Sequence, residues 1–136
     1  MLKKSLIFLS LIAAAASAKP VLTVYTYGGF NTEWGAGPGL KAEFEKVCDC
    51  EVKYAALDHG VMILNRLRME GEQNSADVVL GIDNTLMQAA LDTGLLAPSG
   101  VDTSKLKLPV AWDDKVFVPY DYGWFGFVYD KTRLKN

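Results

Sequence analysis

The stretch VLTVYTY at residues 21–27 consists mainly of β-branched and aromatic residues and ends at Gly28-Gly29. A run of this kind, closed by turn residues, predicts a β-strand. Two more strands are predicted downstream, Glu51–Leu57 from its alternating pattern and Ala76–Ile82 from its continuous apolar run. A short and wholly apolar strand is typical of the interior of a parallel sheet.

Each predicted strand is followed by a stretch with helical periodicity. The first helix is separated from its strand by a glycine-rich loop, Phe30–Gly39. The predicted helices are Pro38–Asp49, Val61–Glu70 stopped by Gly71, and Leu86–Thr93 stopped by Gly94. Strand and helix alternating three times predict an α/β fold with a parallel sheet covered by helices on both faces.

The apolar residues of two helices recur at helical spacing and are expected to face the sheet. In the first helix they are Leu40, Phe44 and Val47, with Lys41, Glu43, Glu45 and Lys46 expected outside. In the second they are Ile63, Leu64 and Leu67.

The last part of the chain has a different character. Pro98–Lys115 resembles a loop, and Val116–Tyr129 is predicted to be a long aromatic strand interrupted by Pro119. The segment is too long and too interrupted to be one central strand of the sheet, and we interpret it as the start of a crossover between two lobes. A polar stretch then ends the chain, so we expect the protein to be truncated near this crossover.

The N-terminus has the three parts of a secretory signal peptide. Lys3 and Lys4 are followed by the apolar run Leu6–Ala15 and the A-x-A site Ala16-Ser17-Ala18, which predicts cleavage after Ala18. The alternative, a transmembrane anchor, needs a longer run to cross about 30 Å of hydrocarbon. Because no cysteine lies at the cleavage site, a freely diffusing periplasmic protein is expected, made of residues 19–136.

Charge and composition exclude several classes of function. The net charge is −2, and loss of two lysines with the signal leaves 12 basic against 16 acidic residues. The densest basic group is Arg66 and Arg68 on a predicted helix, which is a solvated face and no nucleic-acid footprint. The sequence has no G-x-S-x-G elbow, P-loop or G-x-G-x-x-G motif, so no enzyme and no cofactor is predicted.

The two cysteines form a C-x-C pair, Cys48 and Cys50. In an oxidising compartment a local disulfide is favoured over two thiols, although so short a loop is geometrically demanding. No metal site is predicted, because zinc would need further ligands and His59 is the only histidine.

Candidate ligand-binding residues lie in three loops that follow the predicted strands, where ligands of open parallel sheets bind. The loops are Tyr27–Trp34, Asp58-His59-Gly60 and Asp83-Asn84-Thr85. The aromatic rings of Tyr27, Phe30 and Trp34 suit stacking on a flat or cationic ligand, or packing over the sheet edge. Asp58 suits a helix cap, and Gly60 permits close backbone approach. A further cluster, Tyr120-Asp121-Tyr122 with Trp124, places a carboxylate among aromatics.

Five stretches together closely resemble the periplasmic thiamine-binding proteins of thiamine ABC transporters. They are KPVLTVYTYGGF (19–30), WGAGPGLKAEFE (34–45), LNRLRMEG (64–71), ADVVLGIDN (76–84) and FVPYDYGWFGFVYDK (117–131). The resemblance runs in register through residues 19–136 and covers less than half of a family member.

The resemblance implies a type II periplasmic binding protein fold, of which this chain is the first lobe with the start of the interlobe crossover, the second lobe being missing. It implies a protein that binds thiamine or its phosphates and delivers it to a membrane permease driven by an ATPase, and we expect the protein to be a monomer. Carried over by position, the ligand-binding residues are Tyr27, Trp34, His59 and Gly60, extended by Asp121 and Tyr122.

The chain departs from the family at His59, where family members carry an acidic residue. A mostly neutral imidazole does not replace the charge of a carboxylate beside a cationic ligand. Because half of the cleft is missing, the chain alone is expected to bind thiamine weakly or not at all. The alternatives are a polyamine- or ferric-iron-binding protein of the same architecture, a secreted hydrolase fragment, and a non-functional gene fragment.

Overall fold

The computed structural model of the protein describes residues 18–133. The predicted signal peptide lies outside the described residues except for Ala18, so cleavage after Ala18 stays a prediction. The strands are β1 (Val21–Tyr27), β2 (Glu51–Leu57) and β3 (Val78–Val79), and the α-helices are α1 (Ala36–Cys48), α2 (Gly60–Glu70) and α3 (Met87–Leu91). Two short 3-10 helices occupy Gly28–Asn31 and Gly71–Gln73.

The three strands form one parallel sheet in the order β2-β1-β3. All seven residues of β1 pair with β2, from Val21 opposite Glu51 to Tyr27 opposite Leu57. The predictions of a parallel sheet and of both strand bounds are therefore confirmed. A central β1 places the loop after Tyr27 between the loops that follow its two neighbours.

The third strand is much shorter than the predicted Ala76–Ile82. At its start, the Asp77 carboxylate accepts a hydrogen bond from the backbone N–H of Thr23 at 2.8 Å. This N–H would pair with a backbone carbonyl if β3 began earlier. At its end, Leu80 donates to the carbonyl of Tyr25, and Gly81 then turns the chain with a φ of 105°. A positive φ leaves the extended conformation, so pairing stops there.

Helix α2 covers one face of the sheet. Ile63 and Leu67 pack against Tyr25 of β1, and all three are buried. The Tyr25 hydroxyl donates to the Glu70 carboxylate at 2.6 Å, and Arg66 donates to the same carboxylate at 2.8 Å. The predicted inner face of this helix is confirmed, and Gly71 ends it with a φ of 54°.

Helix α1 presents a different face to the sheet from the one predicted. Leu40, Phe44 and Val47 are exposed, with 79% of Val47 accessible. Instead, Lys41 and Glu45 form an ion pair at 2.5 Å and bind the backbone carbonyl and N–H of Val52. The prediction was wrong because β2 offers unpaired backbone groups on its outer edge, which charged side chains satisfy and apolar ones cannot.

Each of the three α-helices has at least one end that differs from its predicted position, α2 by a single residue because it begins at Gly60. Helix α1 begins at Ala36, two residues before Pro38, because a proline is tolerated in the first turn of a helix. It ends at Cys48, one residue before the predicted end, and Asp49 caps it with a φ of 48°. Helix α3 covers only part of the predicted Leu86–Thr93.

The chain reversal between α1 and β2 carries the cysteine pair. Cys48 and Cys50 are joined in a disulfide, with their Cα atoms 5.1 Å apart. Cys50 is buried with Val24 and Val52 on the sheet face opposite α2, whereas Cys48 is half-buried.

The predicted long strand Val116–Tyr129 is absent from the described part of the chain. Residues 116–129 form no helix or strand, and Phe125, Phe127 and Val128 are fully exposed. A strand needs a partner for its backbone groups, and none of β1, β2 or β3 pairs with this segment. Among residues 18–133, no helix is both long enough and apolar enough to cross a membrane.

Candidate functional site

The ring of Tyr27, the last residue of β1, lies beside two glycines, Gly29 and Gly81. A Cβ atom at Gly81 would lie 2.5 Å from Tyr27 Cδ1, so only a glycine permits this contact. On the other edge of the ring, a Cβ at Gly29 would lie 3.6 Å from Cε2. Gly81 therefore lets the backbone approach one edge of the ring closely, whereas a side chain at position 29 would make an ordinary contact with the other edge.

Tyr27 also belongs to an aromatic cluster made of Tyr27, Phe30, Tyr54 and Tyr120. Buried Phe30 is its centre, with ring centroids 6.0 Å from Tyr27, 5.6 Å from Tyr54 and 5.9 Å from Tyr120. The last two pairs are edge-to-face, the arrangement that aromatic quadrupoles favour. The Tyr27 and Tyr120 hydroxyl oxygens are 2.7 Å apart and share a hydrogen bond.

Two phenols of this cluster hold their protons more tightly than usual. The hydrogen bond with Tyr27, followed by desolvation, raises the pKa of Tyr120 far above its ordinary value. Burial raises the pKa of Tyr54, whose hydroxyl donates to the Gly37 carbonyl at 2.9 Å. Both groups are therefore neutral at physiological pH and act as hydrogen-bonding phenols.

The loop after β2 carries His59 and Gly60 at the start of α2. His59 is the N-cap residue, and its carbonyl accepts from Met62 and Ile63 at 2.9 and 3.2 Å. Its side chain is exposed and makes no capping bond. The cap therefore falls on His59 and not on Asp58, which corrects the prediction for Asp58.

Gly60 brings the loops after β2 and β3 together. A Cβ at Gly60 would lie 2.4 Å from the carbonyl oxygen of Gly81, the same glycine that contacts the Tyr27 ring. The carboxyl ends of β1, β2 and β3 thus meet around Gly81, as the rule for parallel sheets predicts. In the third loop, Asp83 is engaged locally, since its carboxylate accepts from the backbone of Thr85 and Leu86.

The other predicted site residues lie apart from this meeting point. Trp34 is 83% exposed on the loop before α1, and Asp121 and Tyr122 are exposed. Tyr122 packs edge-to-face on Trp124 with ring centroids 6.4 Å apart. The structure therefore places Tyr27 and Gly60 around Gly81, with His59 next in the chain, and leaves the other three on the surface.

Sequence reasoning placed Tyr120 in a candidate cluster with Asp121 and Tyr122 but did not pair it with Tyr27, and it did not identify Tyr54 as a site residue. Tyr120 lies in the same aromatic motif as Asp121 and Tyr122, but its partner Tyr27 is 93 positions away. No local pattern identifies a contact over that distance. Within residues 18–133 no group of three His, Cys, Asp or Glu side chains is arranged to hold a metal.

Comparison with known proteins gives strong similarity along the whole chain. It is 58% identical over 136 residues to the thiamine-binding periplasmic protein of Salmonella typhimurium and 57% identical to that of Escherichia coli. The Haemophilus influenzae protein of the same name is 44% identical over 139 aligned positions. The chain spans 42% of the length of each of these relatives. No family model matches the chain.

A solved structure agrees with these relatives. A periplasmic thiamin binding protein superposes with a TM-score of 0.77 at 58% identity, over 87% of this chain and 37% of that one. The resemblance inferred from the sequence is therefore confirmed, and so is the α/β fold of a first lobe. The relatives are named for binding and not for catalysis.

Proposed function

We propose that this chain is the first lobe of a periplasmic thiamine-binding protein that serves an ABC importer. The identity of 58% along all 136 residues carries the proposal. Residues 1–18 would be the signal peptide and residues 19–136 the lobe, which reaches the start of the interlobe crossover. Delivery would be to a membrane permease and its ATPase, with the binding protein acting as a monomer in the periplasm.

The geometry at the carboxyl edge of the sheet suits this ligand. Thiamine contains a flat aminopyrimidine and a cationic thiazolium ring, and an aromatic face attracts a cation with about 0.5–2 kcal/mol. Tyr27 supplies such a face, and Gly60 lies close by, packed against the Gly81 carbonyl that borders the same ring. Trp34, His59, Asp121 and Tyr122 are proposed as further ligand contacts.

The alternative ligands receive less support. A polyamine site would need acidic side chains in the cleft, but the carboxylate of Asp83 is engaged by its own loop. A ferric site would need several oxygen ligands arranged around one point. The relatives are named for thiamine, so neither polyamine nor iron is favoured.

Calorimetric titration with thiamine tests the proposal. We expect tight, saturable binding by a longer protein that joins this lobe to a second lobe, and weak or no binding by residues 19–136 alone, because one lobe cannot enclose the ligand. In the longer protein, Tyr27→Ala should weaken binding, whereas Tyr129→Ala, an exposed tyrosine of the last segment, should not. No detectable binding of thiamine by the longer protein would refute the proposal.

The charge at position 59 offers a second test. His59→Asp should strengthen binding of thiamine by the longer protein, because it adds a negative charge near a cationic ring. His59→Asn adds no charge and serves as the matched control. Equal affinities of the two variants would show that position 59 does not face the cation.

A further inference from the structure

We propose that Tyr120 is a positioning residue that fixes the ring of Tyr27 as a flat platform for the ligand. This inference rests on the function proposed above, because it assigns a role within the same site. It starts from the hydrogen bond between the two hydroxyls, whose oxygens are 2.7 Å apart.

Three sets of contacts define the orientation of the Tyr27 ring. One edge lies close to the backbone of Gly81, where a Cβ would come within 2.5 Å of Cδ1, and this limits rotation of the ring toward that side. Phe30, itself buried, lies at a tilt beside it. At the hydroxyl end of the ring, the hydrogen bond with Tyr120 supplies the third contact.

Tyr120 is suited to this role because it is anchored independently of Tyr27. Its ring packs edge-to-face on Phe30 at 5.9 Å, so Phe30 contacts both phenols. The protonated state of Tyr120 is also favoured, since its pKa is raised by the hydrogen bond with Tyr27 and by desolvation. A neutral phenol therefore remains available to the Tyr27 oxygen across the physiological range.

A ring held in this way loses little conformational entropy when a ligand stacks on its face. Preorganisation of this kind improves affinity by lowering the cost of ordering the site. Loss of one neutral hydrogen bond changes a free energy by an amount that corresponds to roughly 2- to 10-fold in affinity. Tyr120→Phe in the longer protein should therefore weaken thiamine binding by roughly that factor.

The hydrogen bond is tested without any ligand, by NMR of the 136-residue chain with its tyrosines labelled at Cζ. In the unsubstituted chain, the Tyr120 signal should resist titration at alkaline pH, and Tyr27→Phe should lower its pKa toward the ordinary value. Tyr129→Phe, another tyrosine of the same segment, should leave the Tyr120 titration unchanged. A Tyr120 signal that titrates normally in the unsubstituted chain would overturn the proposal.

The second measurement separates positioning from simple packing. Tyr120→Phe keeps the ring and the contact with Phe30, so circular dichroism should be unchanged while thiamine affinity falls. Tyr120→Phe with undiminished affinity would overturn the positioning role and leave the proposed function intact. Absence of thiamine binding by the unsubstituted longer protein would overturn both, even if Tyr27→Phe still changes the Tyr120 titration.

Discussion

Gly60 is the residue at which the loops after β2 and β3 leave no space for a side chain. A Cβ there would lie 2.4 Å from the Gly81 carbonyl oxygen. Gly60→Ala should therefore lower the free energy of unfolding by about 1–3 kcal/mol, as overpacking does. Urea unfolding followed by circular dichroism measures the change.

Gly39 is the matched control for this substitution. It lies inside α1, and nothing lies within 4 Å of a Cβ placed on it. Gly39→Ala should stabilise the protein by about 0.5–1 kcal/mol, because alanine favours the helix. If both substitutions changed the free energy of unfolding in the same direction, the close packing of Gly60 on Gly81 would be contradicted.

The Glu70 carboxylate makes the stability of the protein depend on pH in the acid range. Its pKa is lowered by the hydrogen bond from Tyr25 and next by the one from Arg66. A lowered folded-state pKa stabilises the fold above the ordinary value of 4.5, and this contribution is lost as the pH falls through the folded-state pKa. Thermal unfolding between neutral pH and pH values below 4.5 should therefore show a shallower loss of stability for Glu70→Gln.

The comparison needs a glutamate outside this network. Glu33 is exposed in the loop before α1. Glu33→Gln should keep the acid slope of the unsubstituted chain. An unchanged slope in Glu70→Gln would mean that the Tyr25 contact does not persist in solution.

At the scale of elements, α1 and α2 differ in how much of their apolar surface is buried. Ile63 of α2 is fully buried, whereas Val47 of α1 is 79% exposed. Ile63→Ala should cost about 2–5 kcal/mol of unfolding free energy. Val47→Ala should change it by less than about 0.5 kcal/mol. A large cost at Val47 in urea unfolding would show that α1 packs through its apolar face after all.

The disulfide at the end of α1 closes a very short loop. Because it constrains only the residues from Cys48 to Cys50, the loop-entropy model gives about 1–2 kcal/mol of stabilisation. Reduction should therefore lower the unfolding midpoint modestly and leave the fold intact. Circular dichroism with and without reductant measures this, and unfolding on reduction would contradict it.

The elements that sequence patterns predicted well are those whose signal is local. β1 and β2 follow from alternation and β-branching within seven residues, and both were predicted with the observed bounds. The inward face of α1 could not be predicted, because Lys41 and Glu45 bind the backbone of Val52, which lies in β2. The strand predicted at 116–129 failed for a related reason, since a strand also depends on a partner elsewhere in the chain.

In the candidate site, too, some contacts could be predicted from the sequence and others could not. The meeting of Tyr27 with Gly60 follows from a general rule for parallel sheets, so it could be inferred from the order of strands and helices. The pairing of Tyr27 with Tyr120 could not, because it joins an ordered strand to a segment without regular structure.

At the scale of the whole molecule, stability should be graded from β1 outward. Among the strands of residues 18–133, β1 alone has a neighbour on each side, and Val24, Tyr25 and Thr26 are buried within it. Amide hydrogen exchange should be slowest in β1 and fastest in residues 123–133. Strong protection of residues 123–133 would instead reveal a strand or helix there.

The position of β1 in the sheet also governs when the molecule can fold. The central strand precedes β2 and β3 in the chain, and its pairing must wait for residues about thirty positions later in β2 and 54 positions later near β3. Pairing across such distances is slow, because the loop must close before the contacts are gained. A polypeptide synthesised from its N-terminus can therefore pair β1 with β2 first, and it completes the three-stranded sheet only once Val79 has emerged.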